Sequence, residues 1–335
     1  MEAPASLDRF RSTIDEAIAR ILTGRQGQLF DMMRHHLGWE DGALTQGGKY
    51  LRPTLALVTA EACGGKWEDA LPAAVGLELL HNFSLIHDDI QDESTYRRNR
   101  PTVWSRWGAS QAINAGDAMH ALSQLVVLRM AEDGAPPHSV LHAVRMLDET
   151  CLALCEGQTA DMDFENRSDV TVDDYKAMIG NKTAEAFRCA LEIGGVFAGG
   201  SAEQVRALGE AGFEMGIAFQ IHDDVLDIWG GEIIGKETAL DIRDGKKSLP
   251  VVYGLTQGDS PEAERLRDLY QSGFGPDAVG DIVALLESLG ASDFCAAEAA
   301  SHWAKGRALI ESAGLPDDGA AALIEIGDYL INRPN

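Results

Sequence analysis

The sequence has few basic side chains for its length. Of 335 residues, 28 are Lys or Arg and 53 are Asp or Glu, which gives a formal net charge of −25. A surface this acidic repels polyanions, so we do not expect nucleic acid or an anionic membrane surface as the main partner. An anionic ligand is still possible, because a basic cluster or a bound metal can reverse the field inside one cleft.

Cysteines and long apolar runs are also scarce. The five cysteines are an odd number in apolar, helix-like segments and lack zinc-site spacing, so we predict reduced, buried thiols. No stretch approaches the roughly 18 apolar residues of a membrane-spanning helix. The first residues lack the basic and apolar regions of a secretory signal peptide. We therefore expect no membrane span and a cytoplasmic location.

Helical periodicity dominates the chain. Apolar residues recur at spacings of three and four almost throughout, whereas clear strand alternation is missing. The predicted helices include segments 68–92, 172–198 and 202–229, and the only strand-like run is 249–253. No linker-like segment divides the chain, and its 45% hydrophobic residues can bury a sizeable core. The sequence thus predicts an all-α fold, a large helical bundle in one domain over residues 1–335.

Two acidic motifs with the same spacing occur 135 residues apart (223 − 88 = 135), and each reads His-Asp-Asp-x-x-Asp near the end of a predicted helix. In the first, Asp88 and Asp92 are four residues apart, so their side chains share one helix face. Asp223 and Asp227 repeat this arrangement. Like charges at this spacing cost a few tenths of a kcal/mol per pair. A divalent cation between them is the simplest compensation.

Hard oxygen ligands of this kind indicate magnesium. Mg²⁺ is usually held by one or two carboxylates together with waters and substrate phosphates. Asp89 and Asp224 are further candidates, although they lie about 100° around their helices from the first aspartate of each motif. Glu78 and His81 form a Glu-x-x-His pair, which would suit a carboxylate-bridged di-iron bundle. That fold needs a second such pair, and we find none.

Basic residues stand beside glycine-rich turns and beside the acidic motifs. Arg binds phosphate oxygens in bidentate fashion and Lys acts as a point charge, so their placement suggests phosphate binding. His81 precedes Asp88 by seven residues on the same helix face and is a further candidate ligand. The basic set comprises Lys49, Arg52, Arg97, Arg98, Lys182, Lys236, Lys246 and Lys247.

An ordered series of motifs between Gly47 and Pro250 resembles the trans-isoprenyl diphosphate synthases (class I polyprenyl synthases), above all the short-chain geranylgeranyl and farnesyl diphosphate synthases. The series contains Gly-Gly-Lys-Tyr-Leu-Arg-Pro, Leu-Ile-His-Asp-Asp-Ile-Gln-Asp, Arg-Arg-x-x-Pro-Thr, Gly157-Gln158, Lys182-Thr183, Phe-Gln-Ile-His-Asp-Asp-Val-Leu-Asp and Gly235-Lys236. The resemblance implies an all-α bundle around a deep cavity, normally a homodimer. Asn99 stands where the family usually has Gly, and Asn tolerates a left-handed backbone better than most residues.

The resemblance also implies the substrates and the role of each matched residue. The reaction would condense isopentenyl diphosphate with an allylic diphosphate by ionisation, condensation and elimination. The matches to the isopentenyl diphosphate site are Lys49, Arg52, His81 and Arg98. The matches to the allylic diphosphate site are Arg97, Lys182 and Lys236, with three Mg²⁺ ions bridging that diphosphate to both aspartate motifs. Thr183 and Gln220 match residues near the developing carbocation.

Product length in this family follows the bulk just before the first aspartate motif, here Phe83 and Ser84. Helix geometry puts Ser84 about 40° and Phe83 about 140° from the direction of Asp88, so either could form the cavity floor. The aromatic residue resembles short-chain enzymes, and we expect a twenty-carbon geranylgeranyl product. A farnesyl or longer product stays open, as do a terpene cyclase-like enzyme and a non-catalytic subunit of a heteromeric synthase.

Overall fold

Helices account for nearly all the regular structure, which confirms the predicted all-α class. The computed structural model describes residues 3–40, 43–44, 48–230 and 239–333. The first helices are α1 (Ala5–Arg9), α2 (Arg11–Leu22), α3 (Gln28–Leu37), α4 (Leu51–Ala62), α5 (Trp67–Gln91), α6 (Val103–Trp107), α7 (Ala109–Arg129) and α8 (Pro137–Phe164). The next are α9 (Val172–Ile179), a π-helical segment (Gly180–Ala184), α10 (Glu185–Phe197) and α11 (Ala202–Trp229). The chain continues with α12 (Leu240–Arg243), α13 (Leu249–Leu255), α14 (Pro261–Ser272), a 3₁₀ turn (Pro276–Ala278), α15 (Val279–Ser288), α16 (Ala291–Ser312) and α17 (Asp317–Asn332).

The long helices α5 and α11 form the centre of the bundle. α5 packs against α4, α7 and α10, and α11 packs against α10 and α16. The middle of α5 is apolar on all sides, as expected for a central helix, and its Leu77, Leu79 and Leu80 are fully buried. Because both aspartate motifs lie at the C-terminal ends of these two helices, the core of the bundle positions them. Within the described ranges, no helix is long and apolar enough to cross a membrane.

Two short antiparallel strand pairs complete the described structure: β1 (Trp39–Glu40) with β2 (Ala43–Leu44), and β3 (Tyr96–Arg97) with β4 (Arg100–Pro101). The second pair is a hairpin whose two-residue turn has φ of 50° at Arg98 and 61° at Asn99. A type I′ turn requires positive φ at both central positions, which Asn adopts readily. Asn99 therefore performs the task for which the family usually has Gly.

Two of the secondary-structure predictions were wrong. The run 249–253 is not a strand but lies in α13, which starts after Ser248 with Pro250 in its first turn. A short apolar run buried on all sides has no periodicity that separates helix from strand. The segment predicted as one helix over 172–198 is interrupted by the π-helical segment. The cysteines are all free thiols, but only Cys189 and Cys295 are buried. Cys63 and Cys151 are half-buried and Cys155 is exposed, so the prediction of buried thiols was wrong for these three.

The π-helical segment fits between α8 and α11 because each contributes a glycine. A Cβ at Gly157 of α8 would lie 2.4 Å from the backbone nitrogen of Lys182. A Cβ at Gly216 of α11 would lie 2.6 Å from Cα of Ala184. Contacts this short with backbone cannot be relieved by rotating a side chain. The two glycines therefore allow the backbone that carries Lys182 and Thr183 to approach both neighbouring helices.

We predict that Gly157→Ala destabilises the protein, because the new methyl group would push the Lys182 backbone away from α8. Overpacking of this kind typically costs about 1–3 kcal/mol of unfolding free energy, which urea titration measures. Gly280→Ala is the matched control: Gly280 is exposed in α15 with open space around its Cβ position. There the change should be neutral or stabilising by up to about 1 kcal/mol. Equal stability of the two variants would contradict the close approach.

Candidate active site

The two aspartate motifs face each other across a cleft that Lys246 enters. The Nζ atom of Lys246 donates to Asp92 Oδ2 at 3.2 Å. Burial raises the pKa of Asp227, and the charge of Lys246 is among the groups that oppose this shift. One ammonium group thus interacts with the last aspartate of each motif. The repeated motifs are therefore parts of one site.

In the first motif, neighbouring aspartates point in different directions. Burial raises the pKa of Asp88 to about 6, while the Lys182 ammonium across the cleft opposes the rise. The Asp89 carboxylate is 1% exposed and accepts a hydrogen bond of 2.8 Å from Arg97 Nε. Asp88 consequently faces the cleft with Asp92, whereas Asp89 is buried against the β3–β4 hairpin.

In the second motif, the outer aspartates also interact with cations or N–H groups. Asp223 forms an ion pair with Arg333, whose guanidinium lies 4.6 Å from the ring centroid of Phe219. His222 Nε2 donates to the Arg333 carbonyl at 3.1 Å. Asp227 Oδ2 accepts from the backbone nitrogen of Asp241 at 3.2 Å.

Asp224 differs from the other aspartates of its motif because its carboxylate is already fully engaged. It accepts hydrogen bonds from the Tyr175 hydroxyl at 2.5 Å, the Gln220 side-chain amide at 3.0 Å and the Leu249 backbone nitrogen at 3.1 Å. Burial still raises its pKa to about 7. The structure therefore places Asp89 and Asp224, both candidate metal ligands from the sequence, in internal hydrogen bonds. The other four aspartates interact with cations or N–H groups at the cleft.

The donor set suits magnesium better than a metal that needs a protein cage. Within the described residues, no three His, Cys, Asp or Glu side chains are close enough to hold a metal by themselves. Mg²⁺ needs only one or two carboxylates when waters and substrate phosphates complete its octahedron. Asp88 and Asp92 on one side, with Asp223 and Asp227 on the other, meet that requirement.

A second cavity, with several basic side chains, adjoins the aspartate cleft. The residues that match the isopentenyl diphosphate site all line one cavity of about 760 Å³: Lys49, Arg52, His81 and Arg98. Arg52 Nη1 lies 3.2 Å from His81 Nε2. Burial, followed by Arg52 and the nearby arginines, holds the pKa of His81 well below its usual value. His81 is therefore neutral, its Nε2 accepts from Arg52, and its Nδ1–H is the donor left for a ligand.

The residues that match the reacting centre also lie together, around a cavity of about 130 Å³. Lys182 Nζ donates to Asp161 Oδ2 at 2.5 Å, and Thr183 Oγ1 donates to Gln220 Oε1 at 2.9 Å. Lys182 and Thr183 both lie in the π-helical segment, a conformation that is frequent at functional sites. Lys236, the remaining match to the allylic diphosphate site, lies outside the described residues.

The two candidate residues for product length occupy different environments. The ring of Phe83 packs against His87 and His120, with centroid distances of 4.9 and 5.3 Å. Ser84 Oγ donates to the His81 carbonyl at 2.9 Å. Phe83 is therefore directed towards α7, as its angle from Asp88 predicts.

Several site residues escaped the sequence reasoning. The missed groups are Asp161, Tyr175, Asp241 and Arg333. Asp161 follows Gly157-Gln158 by one helical turn, so the partner of Lys182 could have been found from that motif. Tyr175 and Arg333 contact aspartates that lie 49 and 110 residues away in the sequence, and Asp241 lies on the short helix α12. No local sequence pattern marks these three residues. Lys247, named in the basic set, instead donates to carbonyls at the C-terminal end of α8, including Glu165 O at 3.1 Å.

A helical bundle that holds two aspartate motifs across one cleft defines the isoprenoid synthase class. A family model for polyprenyl synthetase matches residues 41–288. The chain belongs to this family, whose members are trans-prenyltransferases.

Individual relatives agree with this assignment. The chain is similar to the (2E,6E)-farnesyl diphosphate synthase of Mycobacterium tuberculosis, with 38% identity over 90% of this chain and 85% of that protein. A polyprenyl synthetase structure from Streptomyces coelicolor A3(2) aligns with a TM-score of 0.90 and 33% identity, covering 98% and 100% of the chains. A geranylgeranyl pyrophosphate synthase from Corynebacterium glutamicum, complexed with isoprenyl diphosphate and magnesium, aligns with a TM-score of 0.85 and 26% identity over 98% and 99%.

Proposed function

We propose that this prenyltransferase condenses isopentenyl diphosphate with an allylic diphosphate to give a short-chain trans-prenyl diphosphate. The observation that carries the proposal is the pairing of two anion sites. One is the aspartate cleft with Lys182 and Lys246, and the other is the cationic cavity lined by Arg52 and Arg98. A condensation of two diphosphates needs two such sites side by side.

Mg²⁺ is the metal that the aspartates would hold. Its ligands would be Asp88, Asp92, Asp223 and Asp227, and the related Corynebacterium glutamicum structure contains magnesium with isoprenyl diphosphate. When bound, Mg²⁺ supplies positive charge that stabilises the departing pyrophosphate. The number of ions, three in the family resemblance, stays a prediction.

The side chains of the site have two further roles, which are to bind the allylic diphosphate and to stabilise the cation that it forms. Lys182, Arg97 and Lys236 hold the allylic diphosphate, whose C–O bond breaks with both electrons leaving on pyrophosphate. Thr183 and Gln220 direct oxygen atoms towards the cationic carbon that results. The double bond of isopentenyl diphosphate then attacks that carbon, and transfer of a proton from the resulting cation to the released pyrophosphate restores a double bond. Apolar walls exclude water that would otherwise capture the cation.

Two other functions remain candidates for test. A terpene cyclase-like enzyme would share the aspartate cleft but release a hydrocarbon. A non-catalytic subunit of a heteromeric synthase would keep the fold without turnover. Both complete aspartate motifs are present, which favours catalysis, and the cationic lining of the neighbouring cavity favours a second diphosphate over cyclisation.

One product assay separates these functions. We expect the purified protein with Mg²⁺, isopentenyl diphosphate and an allylic starter to form a longer linear diphosphate, identified by mass spectrometry. Asp88→Ala should lower turnover by at least about a thousandfold while keeping the helical circular dichroism spectrum. Asp268→Ala, an exposed aspartate of α14, is the control and should behave as the wild type. A hydrocarbon product, no product, or an active Asp88→Ala variant would refute the proposal.

The product is proposed to have twenty carbons, because Phe83 fills space beside the first aspartate motif. Relatives of this chain carry both farnesyl and geranylgeranyl names, so the family alone does not decide its length. Phe83→Ala would remove the ring that packs on His87 and His120, and we expect longer products by chromatography. Phe30→Ala, at a half-buried phenylalanine of α3, is the matched control. Unchanged product lengths in Phe83→Ala would exclude this residue as the length determinant.

We also propose a homodimer. Six of the eight large apolar side chains that are exposed in the described residues belong to α7 and α8, namely Ile113, Leu125, Leu128, Leu141, Leu152 and Met162. An apolar surface of this kind is typical of a contact between copies. Sedimentation should give about twice the chain mass of 36.1 kDa. The double variant Leu141→Glu with Leu152→Glu should sediment with the mass of a monomer, whereas the control Leu240→Glu should keep the mass of a dimer. A monomeric wild type would contradict the proposal.

The cellular location is proposed to be the cytoplasm. All five cysteines are free, and free thiols persist in reducing compartments. Subcellular fractionation would check this location.

A further inference from the structure

A continuous chain of hydrogen bonds connects Thr183, at the reacting centre, with Tyr175 of α9. Thr183 Oγ1 donates to Gln220 Oε1 at 2.9 Å, and Gln220 Nε2 donates to Asp224 Oδ1 at 3.0 Å. The Tyr175 hydroxyl donates to Asp224 Oδ2 at 2.5 Å. Tyr175 and Asp224 are each only 3% exposed. All four side chains line the cavity of about 130 Å³, and the chain of hydrogen bonds ends in a phenol that is almost fully buried.

The carboxylate sets the direction of every hydrogen bond in this chain. The two oxygens of Asp224 accept from the Tyr175 hydroxyl, the Leu249 N–H and the Gln220 side-chain amide, so Gln220 turns its NH₂ group towards Asp224 and its carbonyl oxygen towards Thr183. The orientation of a glutamine amide is otherwise ambiguous and follows from such partners. Thr183 has one hydroxyl proton, which it donates in the hydrogen bond to Gln220 Oε1. The remaining lone pairs of the Thr183 oxygen are then free to face the cavity.

We propose that Tyr175 is a positioning residue that keeps this direction, so that Thr183 and Gln220 present oxygen lone pairs to the allylic cation. This inference rests on the proposed function, since only an ionising substrate makes the direction matter. A lone pair stabilises a nearby cation, whereas an N–H or O–H dipole pointing at it would destabilise it. The proposal also assigns Asp224 to this network and not to the metal.

Loss of the Tyr175 hydroxyl would release one end of the network. Asp224 Oδ2 would keep only the Leu249 N–H as a donor, and the carboxylate could then rotate away from Gln220. The freed amide could flip and direct its N–H groups towards Thr183. The intact diphosphates would bind as before, because their contacts are Lys182 and the cationic cavity. The variant would destabilise only the state in which the allylic C–O bond has broken. The rate would therefore fall, whereas substrate binding would not change.

The test is Tyr175→Phe in the full-length protein, with single-turnover rates measured so that product release does not mask the chemical step. We expect the rate to fall by about tenfold, with KM for both diphosphates and the half-saturating Mg²⁺ concentration unchanged within about twofold. Tyr270→Phe is the matched control. Tyr270 lies in α14, and its buried hydroxyl has no hydrogen-bond partner within the described ranges. Its rate should equal that of the wild type.

Asp224→Asn provides a second, independent arm of the test. It should reproduce the loss seen in Tyr175→Phe, and the double variant should lose no more than either single variant, because both act through one network. If circular dichroism shows that Tyr175→Phe is unfolded, the rate of Asp224→Asn tests the proposal instead.

Three outcomes would overturn the proposal: an unchanged rate in Tyr175→Phe, a loss that appears in KM, or a raised Mg²⁺ requirement in Asp224→Asn. A wild type without turnover would instead refute the proposed function.

Discussion

Repulsion among the carboxylates at the ends of α5 and α11 is the constraint on which the rest of the site depends. Six aspartates from two helices meet around one cleft, and burial alone would favour their protonation. Five of them have a hydrogen-bond or ion-pair partner: Asp89 pairs with Arg97, Asp92 with Lys246, Asp223 with Arg333, Asp224 with three donors and Asp227 with a backbone N–H. For Asp88, the charges of Lys182 and Arg97 oppose the rise in pKa that burial causes, and a bound metal would oppose it further.

The same site concentrates positive charge within an acidic protein. The net charge of −25 belongs mostly to the solvated surface, whereas the cleft and its neighbouring cavity concentrate arginine and lysine side chains. The β3–β4 hairpin contributes two of them at once: Arg97 turns towards Asp89, and Arg98 lines the cationic cavity. The left-handed turn at Arg98 and Asn99 separates these directions.

The sequence predicts much of this architecture but not its internal contacts. Helical periodicity placed α5 and α11 within about one residue of their ends, and the repeated motif spacing predicted the cleft. The 100° offset put Asp89 and Asp224 on a different helix face from Asp88 and Asp223, although both stayed candidate metal ligands, and it could not reveal their hydrogen-bond partners. Tyr175 and Arg333 reach the site only through tertiary packing, and no local pattern marks them.

The run 249–253 was misread because a fully buried short segment has no periodicity. The π-helical segment was missed because glycines on α8 and α11, distant in sequence, make room for it.

The π-helical segment also limits how the chain can vary in length. Its hydrogen bonds span five residues instead of four, so the segment holds a residue that an ordinary helix would not contain. Deleting one residue from 180–184 would leave an ordinary helix, in which α10 keeps nearly its present orientation relative to α9. Phe187 and Leu191 would stay in the core, but the backbone of Lys182 and Thr183 would lose its close approach to Gly157 and that of Ala184 its approach to Gly216. A change in length at this point would therefore disturb the candidate site more than the packing of the bundle.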